Sequence, residues 1–261
     1  MNEAPLLQRG MHNGTELIKS KTGDKSLIYG EGAFMLGLEQ LYLRVDAETG
    51  GDRSSNSVPR LRKSKRAFDI TFSLFLIIFF APLALIIAFL VSLDGGPVLF
   101  GHVRVGAEGR KFCCWKFRSM YVNADEILRA LLASDPEARE EFERDHKLRN
   151  DPRITRLGRL LRKTSLDELP QLFNVLTGSM SLVGPRPIVE AEIPRYGSSF
   201  RAYCDCRPGM TGLWQVMGRN NVSYGRRVQL DRIYARYSSM KTDLLILLRT
   251  VVIVLRTEGV Y

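Results

Sequence analysis

The hydrophobic pattern divides the chain into unlike parts. Residues 1–59 mix polar residues and glycine with a few short apolar stretches, and 49–57 has linker composition. A mobile, weakly ordered N-terminal region is expected there, with a short helix over 30–45. From 70 to 93 polarity almost vanishes, with only Thr71, Ser73 and Ser92 interrupting. A membrane helix needs roughly 20 such residues, and a soluble core helix is seldom apolar on every side for so long. The segment is therefore expected to enter a bilayer. Alternation around Gly101, Gly106 and Gly109 then predicts a short β-ribbon over 97–120. Residues 122–147 are heavily charged, with Ile127, Leu128, Leu131 and Leu132 at helical spacing, and predict surface helix interrupted near Asp135-Pro136. Further helices are predicted over 154–163, with a basic face of Arg156, Arg159, Arg162 and Lys163, and over 168–176. The apolar stretch 243–255, with Arg249 and Arg256 at its polar edge, fits an amphipathic helix on a membrane surface or a core helix equally. No internal repeat is visible. The pattern divides the chain into a polar region (1–59), a membrane segment with its basic flank (60–95) and a following domain (96–261).

Pro82, at the middle of the apolar segment, removes a backbone donor and crowds the carbonyl of Ile78, so a kink or break is expected. Arg60, Arg62, Lys63, Lys65 and Arg66 precede the segment; Arg104, Arg110, Lys111, Lys116 and Arg118 follow it. Basic flanks favour the cytoplasmic side, and both flanks are basic. A helix–break–helix that re-enters its own side satisfies both; each half would span roughly 18 Å, a little over half a bilayer. Proline is also tolerated in spanning helices, so the residues alone leave both topologies open.

Charge narrows the partners. The formal net charge of +10 suits nucleic acid, acidic lipid or phosphorylated substrates. The four cysteines, Cys113-Cys114 and Cys204-x-Cys206, lack the spacing of a zinc site and read as reduced thiols. Residues 1–27 contain no secretory h-region.

The candidate chemistry centres on Arg162-Lys163-Thr164-Ser165-Leu166-Asp167-Glu168-Leu169-Pro170-Gln171. Pro170 lacks an N–H and fits the first turn of a helix. Asp167 and Glu168 therefore fall at or just before a helix N-terminus, where the dipole favours ionised carboxylates. An ionised Asp is a candidate nucleophile toward phosphorus, and a neighbouring Glu suits Mg²⁺, which takes carboxylate oxygens together with substrate phosphates. Taken alone the pair also reads as an N-cap and a dipole-complementing residue. Gly184-Pro185-Arg186-Pro187 fixes one arginine between two prolines, lowering the entropy lost when Arg186 grips a phosphate. The loop 208–219, Pro-Gly-Met-Thr-Gly-Leu-Trp-Gln-Val-Met-Gly-Arg, combines glycines, an aromatic plane and donors suited to a nucleotide, or forms a structural loop around a packed tryptophan.

The order of these blocks resembles the bacterial sugar transferase family, the monotopic phosphoglycosyl transferases. The matching blocks are the basic-flanked apolar segment with Pro82; Lys116-Phe117-Arg118-Ser119-Met120; the stretch from Thr164 through Asp167 and Glu168 to Gln171; the stretch from Ser179 through Gly184 and Arg186 to Pro187; and the 208–219 loop. Together they span about residues 63–261. The resemblance implies an α+β, mostly helical monotopic membrane protein with a re-entrant anchor broken at Ala81-Pro82, amphipathic surface helices and a small β element. It implies transfer of a hexose-1-phosphate, glucose or galactose, from a UDP-sugar to undecaprenyl phosphate in exopolysaccharide synthesis. Asp167 would carry the phosphosugar and UMP would leave; Mg²⁺ would sit at Asp167 and Glu168. Arg162, Arg186, Lys116 and Arg118 would hold phosphate, and Thr211, Trp214, Gln215 and Arg219 the nucleotide. The expected location is the bacterial inner membrane, catalytic domain on the cytoplasmic face. Expected partners are the donor, the lipid acceptor and membrane lipid, without nucleic acid; a homodimer is one expected assembly. Many relatives place serine where Ala81 stands, so the anchor angle here would rest on packing. Larger relatives carry extra N-terminal membrane helices, and this chain is expected to be of the short type.

Three other readings are distinguishable. A non-catalytic scaffold would keep its role after Asp167→Asn. A nucleic-acid binder would explain the charge but not the apolar segment. A conventional glycosyltransferase would release UDP.

Overall fold

The computed structural model describes residues 63–145, 148–218 and 222–256. The N-terminal region 1–59, with the helix expected over 30–45, lies outside the described residues.

The apolar segment forms one long helix, α1 (Lys63–Ser92). Helical backbone continues through Pro82 rather than breaking there, because proline removes only its own bond to the carbonyl of Ile78. Just 11% of its most apolar stretch is buried within the protein, unlike the core helix of a folded domain. Phe75, Ile78, Phe79, Leu85 and Phe89 are all more than half exposed. Both ends of α1, by contrast, are tied into the following residues. Lys65 Nζ donates to Asp243 Oδ2 at 2.7 Å and to the Val183 carbonyl at 3.0 Å. Arg66 donates to the carbonyls of Val175 and Leu176, at 2.6 and 2.7 Å. At the other end Ile87 and Val91 pack with Phe117 and Leu161.

The alternating segment forms an antiparallel hairpin, β1 (Leu99–Val105) and β2 (Lys111–Phe117). Opposed pairs share a face of a sheet. Since Arg104 faces Phe112, His102 faces Cys114 and Phe100 faces Lys116, one face carries Arg104, Cys114 and Lys116. The charged stretch forms α2 (Ala124–Ser134) and α3 (Pro136–Asp145), separated as expected at Asp135, whose Oδ1 accepts from the N–H groups of Glu137 and Ala138.

The predicted basic helix is α4 (Arg156–Thr164), starting two residues later than expected because Thr155 caps it through the Gly158 N–H at 2.8 Å. Gly158 is required by contact: a Cβ there would lie 2.0 Å from the Ser119 carbonyl oxygen. Ser165, at φ 58°, reverses the chain into a 3-10 turn, Leu166–Glu168, before α5 (Gln171–Thr177). The helix expected from residue 168 thus begins at 171, since Pro170 stands at its cap.

Two short parallel strands follow, β3 (Ser181–Val183) and β4 (Gly209–Thr211). A Cβ on Gly209 would lie 2.1 Å from the Gly184 nitrogen, so glycine permits the close approach that seats the Arg186 loop against β4. The helices around them are α6 (Ile193–Tyr196), α7 (Phe200–Cys204), α8 (Leu213–Val216), α9 (Tyr224–Tyr237) and α10 (Met240–Arg256). Val105, Ile188, Tyr196, Tyr203 and Val228 form one core cluster. Helix α10 buries Asp243 and Ile246 yet exposes Leu244, Leu245, Leu248, Val251 and Val252, so its apolar residues occupy two faces rather than one.

Candidate active site

The turn carrying the two carboxylates is pinned on both sides. Leu166 and Leu169 pack against the cluster that Ile87 and Val91 of α1 form with Phe117 and Leu161, so Asp167 and Glu168 lie between two side chains that join the core at the end of the apolar helix. From β2, Lys116 Nζ reaches Glu168 Oε1 at 2.5 Å and Asp167 Oδ2 at 3.8 Å. From α4, Arg162 Nε donates to Ser119 Oγ at 2.8 Å, and its charge acts on Asp167. The structure thus brings together Asp167, Glu168, Lys116 and Arg162.

The electrostatics depart from expectation in one respect. The sequence suggested that the helix dipole keeps the carboxylates readily ionised. Asp167 is 7% exposed. Burial pushes its carboxyl up to about 6, against the pull of Lys116 and Arg162 and with the repulsion of Glu168. Lys116 shows the counterpart: burial opposes its charge, but Glu168 and Asp167 outweigh that and hold its ammonium above the usual range. The centre sets two carboxyl groups against an ammonium and a guanidinium. Asp167 is more basic than an exposed aspartate, a property that strengthens a carboxylate nucleophile.

Arg186 lies in a different cluster. Val105 N–H donates to the Ile188 carbonyl at 2.8 Å, placing the Arg186 loop beside β1. Arg104 Nη1 approaches the Pro187 carbonyl at 3.4 Å and Glu192 at 3.9 Å. Burial and the Arg186 charge depress the guanidinium pKa values of Arg104 and Arg227 alike. Arg186 itself makes no side-chain hydrogen bond among the described residues. Arg227 lies over the Trp214 ring, 4.6 Å from its centre. Behind the arginines is Asp231, which burial pushes up to about 7 against its Tyr196 hydrogen bond and the charges of Arg186 and Arg227.

The hairpin joins the two clusters. Arg104 and Lys116 share one face, four residues apart in register, which at strand rise is ~13 Å.

Other predicted residues fall elsewhere. Arg118 does not join the site: its five N–H donors are consumed by the fold. Nε donates to Pro97 O at 2.6 Å, Nη1 to Asp94 Oδ2 at 2.7 Å and Met120 O at 3.3 Å, and Nη2 to Val91 O at 2.9 Å and to Asp94 Oδ1. That guanidinium holds the Asp94 carboxyl down at about 2 and locks the exit of α1 to the hairpin. Thr211 Oγ1 bonds Thr250 Oγ1 at 2.7 Å, and Gln215 Nε2 donates to Met210 O at 3.3 Å. Trp214 is buried, and its Nε1 and Gln215 Oε1 have no hydrogen-bond partner among the described residues. Arg219 lies outside the described residues. Ala81 and Pro82 lie inside α1.

Sequence reasoning missed Arg104, Ser119, Arg227 and Asp231. For Asp231 a signal existed: an acid within the buried set Val228, Leu230, Ile233 and Tyr234 of α9, four residues after Arg227. Ser119 lay inside the Lys116–Met120 block without a role being assigned to it; Arg104 carried only its place in the basic flank.

No group of three or more His, Cys, Asp or Glu that could hold a metal occurs among the described residues. Mg²⁺ does not need one, since one or two carboxylates plus substrate phosphates suffice. The Asp167–Glu168 pair fits that donor set, with the Glu168 side chain 35% exposed and able to exchange Lys116 for a cation.

The model of the bacterial sugar transferase family matches residues 60–257, and the chain belongs to that family. It is 50% identical over 229 residues to an undecaprenyl-phosphate galactose phosphotransferase of Salmonella typhimurium, covering 88% of this chain and 47% of that protein. It is 44% identical over 218 residues to the exopolysaccharide production protein ExoY of Rhizobium meliloti, covering 83% of this chain and 94% of that one. A UDP-glucose:undecaprenyl-phosphate glucose-1-phosphate transferase of Klebsiella pneumoniae is 38% identical over 198 residues, covering 72% of this chain and 39% of that protein. The chain spans about half the length of several curated relatives it matches.

Proposed function

We propose that the protein is a phosphoglycosyl transferase that moves a hexose-1-phosphate, galactose or glucose, from a UDP-sugar to undecaprenyl phosphate, the first membrane step of exopolysaccharide synthesis. The observation that carries this is the buried Asp167 beside Glu168, faced by Lys116 and Arg162, on a turn whose flanking leucines join the core cluster at the end of the apolar helix. A lipid-bound acceptor is confined to the membrane face, and a turn next to that end of the helix suits a site meant to meet it.

Asp167 attacks the β-phosphorus of the donor. The bond from that phosphorus to the bridging oxygen breaks, UMP leaves, and the phosphosugar stays on the carboxylate. A phosphate oxygen of the acceptor then attacks the same phosphorus and frees Asp167. Splitting the transfer at one carboxylate avoids holding two large substrates together. Lys116 and Arg162 offset charge on the phosphate as it is transferred. Glu168, with Asp167, would hold Mg²⁺, which supplies further charge neutralisation at the donor phosphates. The Arg186 cluster and Trp214 take the nucleotide side of the donor.

The anchor is read as re-entrant, both ends on the cytoplasmic face of the inner membrane. Three features support this: both flanks are basic, both ends of α1 contact the residues that follow it, and its middle is bare. The second, exposed apolar face of α10 lies along the membrane surface beside it.

Protein in nanodiscs, given UDP-galactose or UDP-glucose, Mg²⁺ and undecaprenyl phosphate, is expected to release UMP and to stop after Asp167→Asn. Release of UDP would mean ordinary glycosyl transfer. Folded protein releasing no nucleotide from either donor would point to a scaffold.

A further inference from the structure

The hairpin has two unlike faces. Paired residues share a face, so Arg104, Cys114 and Lys116 stand on the side of the site, and Leu99, Val103 and Val105 of β1 share the other with Cys113, Trp115 and Phe117 of β2. Gly101, opposite Trp115, leaves room there for the indole: a Cβ on it would lie 3.0 Å from the ring. The one charged residue on this second face is Lys111, at its far end, where Glu190 holds the ammonium at 2.6 Å. A hairpin with one face on its domain ordinarily turns polar residues to water on the other. Here Leu99, Val103 and Trp115 are 44, 60 and 40% exposed. An exposed apolar face of this kind marks a contact surface.

The neighbouring contacts indicate what covers it. Phe117, which pairs with Leu99, packs with Ile87 and Val91 of α1. The apolar face is therefore continuous with the helix whose middle is bare. Further along, β2 is held by Asn174 of α5, whose Oδ1 accepts from the Trp115 N–H at 3.0 Å and whose Nδ2 donates to the Cys113 carbonyl at 2.8 Å. The next two residues of α5, Val175 and Leu176, accept through their carbonyls from Arg66 near the start of α1. So β2 is tied to both ends of α1, at Phe117 directly and at Cys113 and Trp115 through one short helix. With both ends of α1 on one membrane surface, a strand held at these two places runs along that surface rather than away from it. Tryptophan suits such a level, since its ring is apolar and its N–H can meet headgroups or water.

We propose that Leu99, Val103 and Trp115 form a second membrane contact, seated at the boundary of headgroups and acyl chains beside α1. The hairpin then turns one face to lipid and the other, with Lys116 and Arg104, to the phosphates of the donor. This rests on the reading of α1 as a membrane anchor with both ends on one side. The occupant is the lipid surface rather than a second copy of the chain, because the face runs on from a helix that lipid covers in that reading.

The chain has two tryptophans, Trp115 and the buried Trp214, so the emission lost in Trp115→Phe is that of Trp115. The full chain is placed in nanodiscs of phosphatidylcholine and phosphatidylglycerol, either plain or with acyl chains brominated close to the headgroups. Bromination is expected to remove about half or more of the Trp115 emission, as a tryptophan at the interface requires, while acrylamide in the buffer quenches it little and Trp214 stays unaffected by bromine. Val103→Asp sets a charge on the same face and is expected to cut the bromine quenching of Trp115 by about half or more. Trp115 quenched by acrylamide and not by bromine overturns the proposal. So does a Trp115 reached by neither, the result for a face covered by a second copy. Bromine quenching left unchanged by Val103→Asp overturns it as well. Should Trp115→Phe fail to fold, the parent compared in plain and brominated discs gives the same reading, because Trp214 is buried. A chain that does not enter the discs sinks the anchor reading itself. A chain within the discs whose Trp115 escapes bromine sinks this inference alone.

Discussion

Two buried aspartates, Asp167 and Asp231, invite comparison. Burial raises both, to about 6 and about 7, and each faces basic residues. They differ in access. Asp167 sits on a turn at the edge of the apolar helix, its side chain 10% exposed and Lys116 at 3.8 Å. Asp231 sits inside α9, closed off behind Tyr196. The first can meet a phosphorus atom. The second, closed off from solvent, cannot. A raised carboxylate is thus not by itself a catalytic signature: accessibility separates a reacting group from one closed in the core.

The most severe way to break the comparison is to neutralise the accessible member. Asp167→Asn is expected to lower UMP release at least about a thousandfold, since it deletes the proposed nucleophile, whereas Asp231→Asn should retain near-parent kcat. Comparable losses of kcat in the two variants, measured by nucleotide release, would erase the distinction.

Lys116→Met sharpens it next. Without the ammonium Asp167 loses its first attractive partner, so its carboxyl should move further above the usual range. A loss of about a hundredfold in turnover is expected, with the acid limb of the pH–rate profile displaced upward. An acid limb left where it was would mean that Lys116 does not tune Asp167.

Arg118→Lys tests a residue that the sequence grouped with the site and the structure does not. Five donors become three, and the bidentate Asp94 contact is lost. A stability loss of about 2 kcal/mol is expected, with donor KM unchanged. A raised KM without a stability loss would return Arg118 to the site.

The smallest effect is on stability against pH. The folded-state pKa of Asp167 is raised from 3.8 to about 6. Between those values the folded chain keeps a proton that the unfolded chain has released, so its contribution to stability falls as pH rises from about 4 to about 6, then levels off. Asp167→Asn lacks that slope. In metal-free buffer its Tm should exceed the parent's by a few degrees more at pH 7 than at pH 4.5. Asp231 is present in both proteins and cancels. An equal Tm difference at both pH values would show that burial does not raise Asp167.

Much of the fold was legible because it follows local pattern. The long apolar run, the alternation around Gly101, the interruption at Asp135-Pro136 and the carboxylates before Pro170 all appear as expected, since each depends on residues within a few positions of one another. The misplacements were also local in cause: Pro170, standing at the cap, moved one helix start from 168 to 171, and Thr155 moved another from 154 to 156. Pro82 did not interrupt the helix, because the loss of one hydrogen bond is small beside the continuing apolar ladder.

The site was legible only in parts. Lys116 was expected to hold phosphate, and without substrate it holds Glu168, across 52 residues of chain. Arg118, two residues on, was expected to share that role and instead locks the anchor, because alternate strand positions point together only until the strand ends at Phe117. The sequence by itself determined that a long apolar helix, a small hairpin and a carboxylate pair beside a basic helix exist, because periodicity, charge and proline geometry act over one or two turns. Only the tertiary structure decided which cation meets which carboxylate, that burial overrides the helix end at Asp167, and that Arg104, Arg186, Arg227 and Asp231 converge. Those outcomes depend on distances through space between segments far apart in the chain, and on water excluded only once they have packed.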